Sequence, residues 1–266
     1  MLNFKKNTNE PVGHILRFWR QLKRISQMDL ALDTGISPRH LSFVETGRSQ
    51  PSRALVLKLA HTLKLPLRHQ NSLLKAAGYA AEFGQEPFDG QKMEIVRQAL
   101  THILNNHEPY PALVINAAYQ ILMTNSGFNR IINFFIGETA LRKYDNVYRL
   151  TFSADGLRQY IQDWPVIEQF MLGRLWDEMI STQNEELYEL YEDILKLGIT
   201  KTPVHFQIDN NLPIMTLTLE KNSVEASFFT TITSLATPVD QTTQELRIES
   251  LFPVDEKTRQ LFSVPI

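Results

Sequence analysis

The sequence contains no cysteine among its 266 residues. This absence excludes disulfide bonds, metal sites built on thiolates and cysteine nucleophiles. No apolar run reaches the roughly 18 residues that a transmembrane helix needs. The stretch MLNFKKNTNE lacks the apolar core of a signal peptide. These absences predict a cytoplasmic protein with no membrane partner.

Motifs of the common enzyme classes are missing as well. The sequence has no HExxH, GxSxG, Walker or GxGxxG pattern, and its seven histidines are scattered without the spacing of paired metal ligands. We therefore expect no metal, no cofactor and no catalytic residues.

Charge is distributed unevenly along the chain, although the formal net charge is only −2. Residues 1–85 contain 13 Lys and Arg against 5 Asp and Glu, a net charge of +8. Residues 86–266 contain 14 against 24, a net charge of −10. This asymmetry indicates two modules with different partners. The basic module suits nucleic acid, whereas the acidic module would be repelled by phosphate.

The basic module has the pattern of a small all-α domain with five short helices. Apolar residues recur at helical spacing in HILRFWRQLKRI, residues 14–25. Ser26, Ser37 and Ser52 each precede a helical stretch and can cap it. A fifth helix is expected in LRHQNSLLKAAG, residues 67–78.

A tight turn between the second and third helices predicts a helix-turn-helix. The second helix, QMDLALDT, ends at Gly35, and the third begins after Ser37 with Pro38 at its first position. In this motif the first residues of the second helix reach base edges in the major groove, while flanking groups contact phosphates. The predicted DNA-contacting residues are Gln27, Ser37, Pro38, Arg39, His40, Ser42, Phe43, Arg48 and Arg53.

Different roles are expected within this set. Arg39 is suited to a two-point contact with guanine, and an exposed Phe43 is suited to a thymine methyl group. Gln27 and the loop from Arg48 to Arg53 are expected to contact phosphates, together with backbone N–H groups at helix starts. Helical hairpins with glycine turns also occur in proteins that do not bind DNA, so the local positive charge is what favours the DNA interpretation.

The stretch SQMDLALDTGISPRHLSFVETGRSQPS resembles the signature of Xre/Cro-like, lambda-repressor-type helix-turn-helix proteins. The resemblance covers about residues 14–78 and includes the glycine turn, the capping serine and the Glu-x-Gly sequence. It implies a structural ion pair between Arg20 and Glu45. Pro38 and Phe43 stand where such proteins often carry polar base readers, so a base preference cannot be transferred to this chain.

We predict a helix-turn-helix domain over residues 1–80, a linker over 81–91 and a second domain over 92–266. In the second domain a helix over 92–106 precedes a hairpin formed by PALVI and YQILMT. A short helix in SGFNRIINFF, two amphipathic helices and three β-rich stretches follow, namely VHFQI, IMTLTLE and EASFFTTITSL. This order predicts an α+β domain whose antiparallel sheet is partly covered by helices.

Three blocks of the second domain resemble the C-terminal domain of MmyB-like transcription regulators. They are HEPYPALVINAAYQILMTN, NVYRLTFSADGLRQYIQDWPVIEQFMLGRLWDE and TPVDQTTQELRIESLFPVDEKT. The blocks span roughly residues 88–262 in the family's order. The resemblance implies a PAS-like ligand-binding domain fused to the DNA-binding head, and some family members are associated with a fatty-acyl ligand.

An ion pair on an apolar helix face marks a candidate ligand site. The helix expected over residues 165–180 carries Arg174 and Glu178 near the centre of its apolar stripe. Either the two form a structural bridge, or Arg174 anchors a carboxylate head while apolar side chains line an acyl slot. The candidate ligand-binding residues are Phe128, Phe135, Ile167, Met171, Arg174, Phe206, Phe228 and Ile232. Taken singly, each apolar member is more often a plain core residue.

The leading hypothesis is a ligand-responsive transcription regulator that binds double-stranded operator DNA as a homodimer. Its second domain would bind a small apolar molecule, such as a fatty acid, and bias the spacing of the heads. Two alternatives stay open. One is an enzyme that turns over its ligand, and the other is an antitoxin-like or scaffold protein whose acidic half docks a protein partner.

Overall fold

A computed structural model describes residues 10–199 and 214–263, which divide into two compact units. The first unit comprises the chain up to Pro87 together with Thr237–Gln244, and the second comprises the described parts of Phe88–Ala236 and the chain from Glu245 onward. The predicted two-domain arrangement is confirmed. The chain passes between the units three times, and the expected linker 81–91 is divided between them at Pro87.

The chain up to Pro87 forms an all-α unit, as the sequence predicts. Its described residues contain α1 (Val12–Leu22), α2 (Gln27–Thr34), α3 (Pro38–Glu45), α4 (Arg53–Thr62) and α5 (Leu67–Ala76). The three predicted N-cap serines each accept a hydrogen bond from the backbone N–H three residues on, at 3.1 Å for Ser26 and Ser37 and 3.3 Å for Ser52. Gly35 ends α2 with φ of +65°, a left-handed conformation that glycine adopts without strain.

The core of this unit fixes which face of α3 points outward. Leu41 and Val44 of α3 are fully buried in one apolar cluster. A Cβ atom at Gly13 of α1 would lie only 2.2 Å from the carbonyl oxygen of Val44, so only glycine permits this close approach of α1 and α3. The first turn of α3 is left on the surface, where Pro38 and Arg39 are exposed.

A segment from late in the chain completes the first unit. We call Thr237–Gln244 the return segment, and it includes most of α12 (Gln241–Glu245). Thr242 Oγ1 donates a hydrogen bond to the carbonyl oxygen of Glu86 at 2.7 Å. The side chain of Gln244 accepts one from the backbone N–H of Leu67 at 2.7 Å. The return segment is therefore bound to the start of α5 and to the chain just before Pro87.

The second unit is an α+β fold. Its described helices are α6 (Glu94–Asn106), α7 (Ser126–Phe135), α8 (Ala140–Lys143), α9 (Val147–Phe152), α10 (Trp164–Thr182), α11 (Glu185–Leu195) and α13 (Glu256–Ser263). Its described strands are β1 (Ala112–Ile115), β2 (Ile121–Thr124), β3 (Thr216–Lys221), β4 (Val224–Ser234) and β5 (Arg247–Pro253). The strands form one antiparallel sheet in the order β2-β1-β5-β4-β3.

The sheet confirms the predicted fold class but differs from the expected strand set. β1, β2, β3 and β4 correspond to predicted stretches, whereas VHFQI, residues 204–208, lies outside the described residues. β5 was not predicted, although it is the central strand. Charged residues at 247 and 249 interrupt its apolar pattern, and the sequence signal for a buried strand is weak as a result.

The two faces of the sheet have different partners. Val114 and Ile248 on one face share an apolar cluster with Leu100 and Leu104 of α6. On β5, residues 247, 249 and 251 point to the other face, since side chains alternate along a strand.

No helix in the described part of the chain combines the length and the apolar character needed to cross a bilayer.

Candidate functional site

The first candidate site is the exposed turn at the start of α3. Ser37, Pro38 and Arg39 are exposed, whereas His40 and Ser42 are half-buried. The Ser37 hydroxyl caps the helix by accepting from the His40 N–H, and the positive end of the helix dipole lies at this first turn. The predicted base-reading residues are therefore grouped on one end of one helix and reach solvent.

Arg39 is held in place by a neighbour one turn later. Its guanidinium carbon lies 5.4 Å from the centre of the Phe43 ring, a cation–π contact. Phe43 is half-buried. This stacking orders a long side chain before any partner arrives, which lowers the entropy lost when it binds.

The residues predicted to contact phosphates differ in what they bind within the structure. Gln27 Nε2 donates to Glu45 Oε2 at 3.0 Å, so its amide is partly engaged inside the unit. Arg53 forms an ion pair with Glu82, and both side chains remain substantially exposed. Arg48 is exposed in the loop after Gly47.

The second candidate site is a cavity of about 710 Å³ in the second unit. Residues of β1, β3, β4 and β5 line it from the sheet, and residues of α7, α9 and α10 line it from the helices. Most of the lining is apolar, with Leu113, Phe128, Leu150 and Met171 among its members. A cavity of this size and character suits an organic ligand that is mostly hydrocarbon.

The predicted ligand-binding residues separate into three groups. Five of them line the cavity, namely Phe128, Ile167, Met171, Arg174 and Ile232. Phe135 and Phe228 are fully buried but do not line it. Phe206 lies outside the described residues.

The two buried phenylalanines pack elsewhere for identifiable reasons. The Phe135 ring, at the end of α7, meets the ring of Tyr160 with 5.5 Å between centres. Phe228 has the strand parity of the lining residues Thr230 and Ile232, but its ring packs against Phe262 of α13 at 5.8 Å. An aromatic residue in a strand signals burial, and the sequence alone does not tell which neighbour buries it.

A polar cluster lies at the cavity and corrects the expected Arg174–Glu178 bridge. Glu178 instead accepts hydrogen bonds from the Tyr119 hydroxyl and from Arg247 of β5. Arg174 pairs with Glu249 of β5 at 3.4 Å, and its guanidinium carbon lies 5.5 Å from the centre of the Tyr119 ring. Arg174 and Glu178 therefore each pair with an opposite charge on β5 rather than with each other.

Both tyrosines of this site are neutral hydrogen-bond donors. Burial raises the pKa of the Tyr119 hydroxyl, and Arg174 offsets that shift only in part. Burial also raises the pKa of Tyr148, whose hydroxyl donates to the carbonyl oxygen of Met171 at 3.0 Å. The two rings meet edge to face with 4.6 Å between centres.

Sequence reasoning missed Tyr119, Tyr148 and Glu249 as lining residues. A signal for Glu249 was present, because strand alternation in RIESLF places Arg247, Glu249 and Leu251 on one face. A charged pair on the buried face of a strand is uncommon and often marks a functional site. Burial raises the pKa of Glu249, although Arg174 acts in the opposite direction.

No cluster of three or more His, Asp or Glu side chains within residues 10–199 and 214–263 is placed to hold a metal ion. The possible ligand contacts at the cavity are instead hydrocarbon walls and the ion pair of Arg174 and Glu249. The cavity is thus arranged for binding an organic molecule.

A helix-turn-helix unit with an exposed basic turn, joined to an α+β unit with an apolar cavity, defines a ligand-binding transcription regulator. Comparison with known families agrees with this class. Residues 96–263 match the MmyB-like transcription regulator ligand binding domain, and residues 16–70 match a helix-turn-helix family. The chain belongs to the MmyB-like transcription regulators, which are regulators of transcription and not enzymes.

A relative found by sequence comparison agrees with this class. The chain is 31% identical over 117 residues to an uncharacterized HTH-type transcriptional regulator, RghRB, of Bacillus subtilis (strain 168). The aligned region covers 44% of this chain and 76% of that protein.

Proposed function

We propose that this chain is a sequence-specific regulator whose binding to operator DNA responds to a fatty-acyl-like ligand in the cavity of the second unit. The observation that carries the proposal is the combination, in one polypeptide, of an exposed basic helix start and a mostly apolar cavity of about 710 Å³. Its PAS-like domain would act as the sensor, and the helix-turn-helix unit as the output.

On the DNA side, α3 would lie in the major groove with Arg39 at a guanine. Ser37, Pro38, His40, Ser42 and Phe43 would complete the base-facing surface. Gln27, Arg48 and Arg53 would bind phosphates on either side of it. One helix start reads only a few base pairs, so useful specificity requires a homodimer on two half-sites. The cysteine-free chain fits the reducing cytoplasm, which we propose as its place of action.

On the ligand side, the apolar walls would hold an acyl chain and the polar cluster would meet its head. Phe128, Ile167, Met171 and Ile232 come from three different elements and surround the same space. Each methylene group removed from water contributes about 0.8 kcal/mol, so a medium-length chain gains affinity steadily with length.

The return segment supplies a route from the cavity to the DNA-binding unit. Thr230 and Ile232 line the cavity from β4, and Glu249 and Leu251 line it from β5. The chain that joins these two strands contains the return segment, which is bound within the first unit. A ligand that moves β4 or β5 would pull on this segment, and it would shift DNA binding by as much as its affinities for the two arrangements differ.

The proposal is tested by mobility shift with and without extracted ligand. Lipid extracted from the purified chain is identified by mass spectrometry and added back to stripped protein on its selected operator. We expect the ligand to change operator affinity in the wild type. Thr230→Trp should abolish the response and leave DNA binding intact, because Thr230 lines the cavity and is exposed.

A matched control lies one residue further along the strand. Thr231 is also exposed but points to the opposite face, so Thr231→Trp should keep the response. Loss of response in both variants, or in neither, would contradict the cavity as the regulatory site. Absence of sequence-preferring binding at moderate salt would reject the regulator itself.

A further inference from the structure

The polar end of the cavity is already balanced in charge. Arg174 and Glu249 line the cavity and face each other at 3.4 Å, and Arg247 is paired with Glu178 next to them. In their ionised forms these four side chains sum to zero. Glu249 is only 10% exposed and Glu178 13%, so added charge at this place would be poorly screened by water.

The hydrogen-bonding capacity that remains is specific in kind. The Tyr119 hydroxyl proton goes to Glu178 and the Tyr148 proton to Met171, so neither donates freely into the cavity. Among the described residues, the Arg174 guanidinium, which has five N–H groups, makes one hydrogen bond, to Glu249. Within the described ranges the Glu249 carboxylate accepts that one bond, and it has further lone pairs. The cavity therefore offers donors and an acceptor side by side.

A carboxylate head fits this arrangement poorly. It would accept from Arg174, but it would bring a second negative charge beside Glu249 and make the cluster net negative. Like charges at close range in a partly desolvated site repel strongly. A head group that accepts from Arg174 and donates to Glu249 satisfies both side chains without adding charge.

We propose that the cavity selects an uncharged acyl ligand whose head both accepts and donates hydrogen bonds, such as a carboxamide, over the corresponding free fatty acid. Arg174 binds the carbonyl oxygen and Glu249 accepts the amide N–H. The inference rests on the proposed function, since it takes the acyl ligand as given and assigns its head.

The test compares decanamide with decanoate on the stripped full-length chain by calorimetry in mildly alkaline buffer. We expect decanamide to bind roughly tenfold or more tightly, since tenfold corresponds to only about 1.4 kcal/mol. Methyl decanoate, which accepts but cannot donate, should bind between the two.

A single substitution should reverse the preference. Glu249→Gln removes the negative charge beside Arg174 and leaves the cluster net positive, so decanoate should gain at least about tenfold relative to decanamide. Glu189→Gln is the control, because it makes the same charge change at an exposed site on α11. The wild-type comparison stands even if Glu249→Gln does not fold.

The outcomes separate the head-group inference from the proposed function. Tighter binding of decanoate than decanamide to the wild type would overturn the inference and leave an acyl-binding cavity. Binding of neither at millimolar concentration would reject the acyl ligand, and the inference with it. An unchanged ratio in a folded Glu249→Gln variant would show that Glu249 does not read the head, which also overturns it.

Discussion

Arg20 of α1 and Glu45 of α3 form a two-point ion pair, with Nε to Oε1 at 2.7 Å and Nη2 to Oε2 at 2.9 Å. Arg20 Nη1 also donates to the carbonyl oxygen of Ile25 at 3.0 Å. The side chains are only 11% and 3% exposed, and the hydrogen bond to Glu45 raises the pKa of Arg20. The pair that the family resemblance implied is therefore present, and it ties the first helix to the helix that would read DNA.

Removing one partner of this pair should destabilise the first unit more than replacing both partners with apolar residues. Glu45→Leu leaves the buried guanidinium without a counter-charge and should cost about 3–5 kcal/mol, whereas Arg20→Met with Glu45→Leu should recover much of that loss. Hydrogen exchange at the amides of α1 and α3 measures the local stability. Arg17→Met, at an exposed position of α1, should change exchange very little. Additive effects of the two substitutions would argue against coupling between them.

Arg39→Ala should weaken binding to the selected operator by about 1–3 kcal/mol if the guanidinium holds a guanine. Affinity for random duplex should fall much less, because Arg39 is only one of the positive charges that attract the phosphates. Arg39→Lys keeps the charge but loses the planar guanidinium group. Relative to Arg39→Ala, it should restore affinity for random duplex more than affinity for the operator. Equal losses on operator and random DNA in competition mobility shifts would remove the base-reading role.

The ion pair between Arg53 and Glu82 makes the predicted phosphate contact testable in both directions. Arg53→Ala should lower affinity for every duplex and flatten the salt dependence by about one unit of slope. Glu82→Gln frees Arg53 from its competitor and should raise affinity by up to about fivefold, because an exposed pair is worth only about 0–1 kcal/mol. Fluorescence anisotropy over a salt series checks both. A Glu82→Gln gain that persists in the Arg53→Ala background would mean that Glu82 acts by its own charge.

Local signals made the first unit predictable from sequence. A capping serine and a left-handed glycine act over three or four residues, so Ser37 and Gly35 set the ends of α2 and α3 without knowledge of the rest. Both ends of α2 and the start of α3 agree with the prediction. Which face of α3 stays outward also depends on Gly13, whose close approach to Val44 no local pattern reveals.

The cavity was less predictable because its partners come from distant parts of the chain. Arg174 and Glu178 are one helical turn apart, and that spacing favours a bridge between them. Both instead pair with charged residues on β5. This strand was not predicted, because those charged residues interrupt its apolar pattern. Phe228 has the correct strand parity for the cavity, yet α13, which was not predicted, covers it. Parity determines the face of a sheet, but tertiary packing determines what covers each part of that face.

The burial of Glu249 should appear as a pH dependence of stability. Burial raises the pKa of this carboxyl in the folded chain above its ordinary value, so the folded state keeps a proton that the unfolded state has lost. The resulting stabilisation is fully present below the ordinary carboxyl pKa and is lost as pH rises through the folded pKa. As pH rises through that window, the free energy of unfolding of the wild type should therefore fall relative to that of Glu249→Gln.

The comparison isolates Glu249 because the other titrating groups are common to both chains. The charged and titratable side chains around it are Arg174, Arg247, Glu178, Tyr119 and Tyr148. Urea unfolding of the two chains, measured from mildly acidic to mildly alkaline pH, gives the difference directly, and Glu189→Gln controls for the loss of one surface charge. A difference that stays constant, or that grows in favour of the wild type as pH rises, would mean that Arg174 outweighs burial and keeps the carboxylate ionised throughout.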